Sequence, residues 1–137
     1  MGLLRIFDVA GSAMAAQSMR LNIVASNLAN AESVSGSPAT VYRSRHPVFA
    51  VQQFDAGADP TSAGVRMLGV VASTSPPVTR YEPDNPLADA QGQVYASSVS
   101  PVEEMADMIS ASRSYQSNLA VLETSRDLIV KTLSLGH

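Results

Sequence analysis

The 137-residue chain contains no cysteine, which excludes disulfides, thiolate metal sites and cysteine nucleophiles together. Chance in a short chain accounts for this absence, and so does passage unfolded into an oxidising space where a stray thiol is a liability. Tryptophan is also missing, and aromatics make up only 5% of residues. Alanine, valine and leucine must therefore supply most of the buried surface, which suits helices that approach closely and gives a lone globule a weak core. Lys131 is the only lysine, and the remaining basic residues are scattered apart from Arg43 and Arg45. With a formal charge of −3, the chain lacks the basic patch that nucleic-acid binding requires. The longest strongly apolar run, Leu68 to Ala72, is far short of the ~20 residues that span a bilayer.

What is present falls into three segments. Residues 3 to about 31 have no proline and a single glycine, Gly11; residues 33–100 hold all but one of the eight prolines; residues 101–135 are again free of glycine. This predicts a mainly α protein: an N-terminal helix (1–32), an irregular β-rich insert (33–100) and a C-terminal helix (101–137), the helices packing as a coiled coil in one assembly domain. The first 15 residues imitate a secretory leader, with Arg5 before an apolar stretch and Ala13-Met14-Ala15 as a small-residue site. Asp8 interrupts that stretch, and cleavage would remove half of a well-patterned helix, so a cleaved leader is not expected.

Stepping alternately by four and three from Leu3 gives Phe7, Ala10, Met14, Gln17, Leu21, Val24 and Leu28, a heptad stripe broken only by Gln17. At ~1.5 Å per residue the helix would be about 42 Å long. Ser100-Pro101-Val102-Glu103 places a capping serine and a first-turn proline at the start of the second helix. Glu103, Glu104 and Asp107 suit the helix dipole there, which accounts for them without acid–base or metal chemistry. The expected stripe runs Met105, Met108, Ser112, Tyr115, Leu119, Leu122, Arg126, Ile129 and Leu133, and Gly136 is placed to end the helix. Ile6, Val9, Ile23, Ile109, Val121, Leu128, Val130 and Leu135 lie off both stripes. Each helix is thus apolar over more than one face and needs more neighbours than one short chain provides.

In the insert, Val48–Phe54 and Val65–Val71 read as strands, Val41–Arg45 more weakly, with Gly57, Pro60, Gly64, Pro76, Pro77, Pro83 and Pro86 between them. Asp89-Ala90-Gln91-Gly92 reads as a turn into an extended Gln93–Tyr95. No catalytic, cofactor or metal site is expected: His46 has no nucleophile elbow beside it and no phosphate-binding glycine motif occurs. Asn22, Asn27 and Asn30 in the first helix, with Gln116 and Asn118 in the second, read either as interhelical hydrogen-bonding groups that fix register or as solvated side chains.

Ala25-Ser26-Asn27-Leu28-Ala29-Asn30-Ala31, preceded by Gly11-Ser12-Ala13, Ala16-Gln17 and Arg20-Leu21-Asn22, resembles the N-terminal signature of flagellar rod and hook proteins. Arg113 to Asn118 and Lys131 to Gly136 resemble that family's C-terminal signature, and Tyr81 to Asp89 with Gly92 and Val94 resembles a segment of its proximal-rod members. Ser33 to Thr40 departs from the Thr-Pro-Gly turn that many relatives carry. The resemblance implies a structural, non-enzymatic subunit of the flagellar basal body, exported unfolded by a type III apparatus. It implies a shell of coiled terminal helices forming a hollow, torque-transmitting shaft. Implied partners are copies of the chain, other rod proteins, and membrane-ring and export-gate components at the rod base, with neither nucleic acid nor a lipid anchor. The expected assembly interface comprises Leu3, Phe7, Ala10, Met14, Leu21, Val24, Asn27, Leu28 and Asn30. From the second helix it adds Met105, Met108, Tyr115, Gln116, Asn118, Leu119, Leu122, Ile129 and Leu133.

Two other classes fit less well. A membrane-surface protein should carry lysine and arginine beside its apolar helix face, and a small enzyme should show a convergent polar cluster.

Overall fold

A computed structural model describes residues 3–54 and 63–136. Helix α1 spans Leu3–Ala29 and helix α2 spans Pro101–Leu135. Between them lie β1 (Val34–Ser35), β2 (Arg45–Gln52), β3 (Gly64–Ala72), β4 (Val78–Tyr81) and β5 (Gln93–Ala96). The expected mainly α architecture with a small β insert is present. Of the weaker strand expectation, Val41–Arg45, only Arg45 is in a strand, as the first residue of β2, while β1 and β4 form without a strong sequence signal. The punctuating Gly57 and Pro60 lie outside the described residues, as does His137.

The strands form a three-stranded antiparallel sheet in the order β1-β5-β4 and a separate two-stranded pairing of β2 with β3. In the first sheet Val34 and Val78 both oppose Ala96, and Arg80 opposes Val94. The period-2 alternation of β5 explains its central place: Val94 and Ala96 are buried, and Gln93 and Tyr95 point the other way. β4 carries no such pattern and is exposed throughout. It pairs because the turn before β5 returns the chain alongside it.

The chain forms two compact units. One draws on the first 21 residues, 47–69 and the chain from 109 onward; it buries Ala10, Ala16 and Ala111. Here β3 comes close to α1: the Val65 N–H donates to Ser12 Oγ at 3.1 Å, and that hydroxyl donates to the Val9 carbonyl. A Cβ on Gly64 would stand 2.5 Å from Ser12 Oγ and 2.7 Å from the Phe54 ring, so this approach requires glycine. The other unit, 22–46 and 70–108, has its core at Val24, Val41, Val94, Ala96 and Val99.

Helix α2 starts and ends by local chemistry. Ser100 Oγ accepts from the Glu103 N–H, as the capping motif predicts, and the Gly136 N–H bonds the Leu133 carbonyl at the far end. Along α2, Glu104, Ala111 and Ser125 are buried, and Asp107, Met108, Ser112, Ser114, Tyr115, Asn118, Leu122 and Ile129 are half-buried. Of the sequence-derived stripe, Met108, Ser112, Tyr115, Leu122 and Ile129 are half-buried within the chain. Met105, Leu119 and Leu133 are exposed.

Candidate functional site

The most organised cluster of polar groups forms where α1 ends. Asn27 sits in its last turns with only 1% of its surface exposed. Its Oδ1 accepts from the Arg45 N–H at 2.9 Å while its Nδ2 donates to the Arg45 carbonyl at 2.9 Å. The side-chain amide thus pairs with one residue of backbone as a neighbouring strand would, at the point where β2 begins. Oδ1 also accepts from the Tyr42 hydroxyl at 2.8 Å, and Nδ2 donates to Glu104 Oε1 at 3.0 Å. A primary amide has two donors and two acceptor lone pairs, and here all four are used. The Arg45 N–H cannot accept, so it fixes which end of the amide is oxygen. Ser26 Oγ, 3.3 Å from the Tyr42 hydroxyl, is left to donate to it.

One asparagine therefore joins the end of α1, the 33–44 loop, the start of β2 and the first turn of α2. Glu104 is equally committed. The dipole argument applied to all three acids of that helix start, yet Glu104 is 6% exposed and bonded to Asn27, while Glu103 is exposed. Replacing either partner would leave a buried polar group unmatched, which costs more than the bond itself contributes.

A second cluster shapes the sheet. Asp89 Oδ1 accepts from the Gln91 and Gln93 N–H groups, each at 2.9 Å, and Oδ2 accepts from the Tyr95 hydroxyl at 3.2 Å. The Gln93 amide, with smaller help from Gln91 and Tyr95, outweighs partial desolvation and holds the Asp89 carboxyl below its ordinary range. The same hydrogen bond, with burial, pushes the Tyr95 phenol up. The turn closes through the Gly92 N–H on the Asp89 carbonyl, with Gly92 at a φ of 74°.

The residues expected at an interface are distributed as follows. Ala10, Val24 and Asn27 are buried; Phe7, Met14, Leu21, Leu28 and Asn30 are half-buried. Met108, Tyr115, Asn118, Leu122 and Ile129 are half-buried, and Met105, Gln116, Leu119 and Leu133 are exposed. The side chain of Leu3 lies outside the described residues. Of the helical amides, Asn27 bonds between elements, whereas Asn30 and Asn118 donate to the Ser26 and Ser114 carbonyls of their own helices. Gln17, the polar break in the α1 stripe, buries its Oε1 without a hydrogen-bond partner among the described residues. Sequence reasoning missed Tyr42, Arg45 and Glu104 as Asn27's partners, since no local pattern connects residues this far apart.

His46 meets Ser44 Oγ through Nε2 at 3.2 Å, and among the described residues no carboxylate joins them. Among the described residues no group of three His, Cys, Asp or Glu is placed to hold a metal, and no helix is long and apolar enough to cross a membrane.

Comparison with known proteins adds direct relatives. The family described as "Flagella basal body rod protein" matches residues 7–36, and "Flagellar basal body rod FlgEFG protein C-terminal" matches residues 90–135. Flagellar basal-body rod protein FlgC of Salmonella typhimurium is 52% identical over 137 residues, covering all of both chains. Its counterpart in Escherichia coli O6:H1 is 50% identical over the same length, and that of Buchnera aphidicola subsp. Baizongia pistaciae 37% over 139 residues, each with full coverage. The N-terminal match contains Asn27 and the C-terminal match contains Glu104, so both halves of the buried pair fall within the family's own segments. At this identity over its whole length, the chain belongs to the FlgC family of flagellar basal-body rod proteins.

Proposed function

We propose that the chain is a structural subunit of the proximal rod of the bacterial flagellum, polymerising through its terminal helices into a hollow shaft that carries motor torque. One observation supports this most. Away from the covered stripe of α2 that holds Glu104, Ala111 and Ser125, Val102, Met105, Ile109, Leu119, Val130 and Leu133 are exposed along one flank, and Val121, Leu128 and Leu135 along the other. At roughly 100° per residue these flanks lie on opposite sides of the covered stripe. A helix apolar on three sides and covered on one is built for several helical neighbours.

In that assembly α1 and α2 form the coiled shell, with the expected interface residues from Leu3 to Leu28 and from Met105 to Leu133 divided between seams within and between subunits. Asn27 and Glu104 hold each subunit's helix ends together, so that load on one helix reaches the other. Neighbours are copies of the chain, other rod proteins, and membrane-ring and export-gate components at the base. The place of assembly is the periplasm, reached unfolded. The absence of cysteine supports that route.

Electron microscopy of basal bodies from a strain lacking this chain tests the reading. Membrane rings without a rod, in non-motile cells, are expected; intact rods and normal swimming would overturn it.

A further inference from the structure

The chain carries an excess of acid, yet one open cleft of about 490 Å³ is lined by two arginines, Arg43 and Arg45, and by no carboxylate. Its floor is partly apolar, from Val34, Val41 and Ala72, and Ser33 and Thr40 add hydroxyls. Arg45 is held in place: Asn27 grips its backbone at both N–H and C=O, and its guanidinium lies 5.5 Å from the centre of the Tyr42 ring. Stacking on a ring face leaves the guanidinium N–H edge open to a carboxylate. Arg43, two residues away and exposed, has no ion-pair partner among the described residues. Two cations with no ion-pair partner among the described residues, one of them pre-positioned, define a surface for an acidic partner.

We infer that this cleft receives the start of α2 from a second copy of the chain, with Glu103 of that copy entering between Arg43 and Arg45. The inference rests on the assembly reading above. Glu103 fits because its side chain is exposed and has no ion-pair partner among the described residues, in contrast to the buried Glu104. Val102, the preceding residue of that first turn and 77% exposed, would lie against the apolar floor. A contact between unlike patches of identical chains is heterologous; it propagates as an open helix when the rotation does not close. That symmetry is the one a rod requires.

The absence of native cysteine makes a direct test clean. Two forms of the full chain, one with Arg43→Cys and one with Glu103→Cys, are co-expressed in cells lacking the native copy, and isolated basal bodies are oxidised. A disulfide-linked dimer containing one of each is expected, with none when Glu123→Cys replaces Glu103→Cys. Basal bodies that contain both chains but yield no mixed dimer would overturn the docking and leave the rod reading intact. Absence of the chain from basal bodies would overturn both. Charge reversal gives a second readout: Arg43→Glu and Glu103→Arg should each impair swimming, and the double variant should recover it. Normal swimming of both single variants, or no recovery in the double, would overturn the pairing.

Discussion

Asn27→Ala removes four hydrogen bonds at once from a site with almost no solvent access. The bonds to the Arg45 N–H, the Arg45 carbonyl and the Tyr42 hydroxyl are neutral, worth about 1 kcal/mol each, and the bond to the Glu104 carboxylate about 1.5–3 kcal/mol. Arg45 and Tyr42 are not fully buried, so water can serve some of the groups left behind. Glu104 has no such relief. A net loss of about 3–5 kcal/mol follows. The assay is urea titration of purified basal bodies, following release of the chain. Asn27→Ala should release at clearly lower urea than the parent, and Glu104→Ala in the same background should add much less than it does alone, because the two side chains share one interaction. Asn27→Asp should be as harmful at neutral pH, since it sets a second carboxylate against Glu104 and faces an acceptor toward the Arg45 carbonyl. Part of that loss should return in acid, where a protonated carboxyl can donate to Glu104. A release midpoint unchanged by Asn27→Ala, or full additivity with Glu104→Ala, would refute the reasoning.

Gly64→Ala should lower the same midpoint by the equivalent of about 1–3 kcal/mol through overpacking against Ser12 and Phe54, and Ser12→Ala should restore part of it. Gly92→Ala combines a φ of 74° with a Cβ 2.9 Å from the Tyr81 ring; about 1–2 kcal/mol from the backbone alone is expected. The Asp89 carboxyl is depressed in the fold, so its contribution is complete above the ordinary value of 3.8 and is lost as pH falls through the folded pKa below it. An acid-release profile should show this step in the parent and lose it in Asp89→Asn. Free chain in solution should show less helix by circular dichroism than the 27 and 35 residues of α1 and α2 would give, because their apolar flanks lack neighbours. A fully helical monomer with a cooperative melt would contradict that.

The two helices and their ends were legible in the sequence because their causes are local: the period of apolar residues, the capping Ser100, the proline after it and the terminal Gly136. The Asp89–Gly92 turn and the inward alternation of β5 were legible for the same reason. So was the need for neighbours, since an excess of apolar faces is a property of the pattern. Tertiary structure alone decided which residues of α2 are buried within the chain, because Glu104, Ala111 and Ser125 are small or polar and no apolar periodicity selects them. It alone turned Glu104 from a helix-dipole residue into the partner of Asn27. That pair spans 77 residues of sequence, and no periodicity reaches so far. Strands β1 and β4, two and four residues long, exist only because β5 lies between them to satisfy their backbone groups, and hydrogen bonds of that kind belong to the fold as a whole.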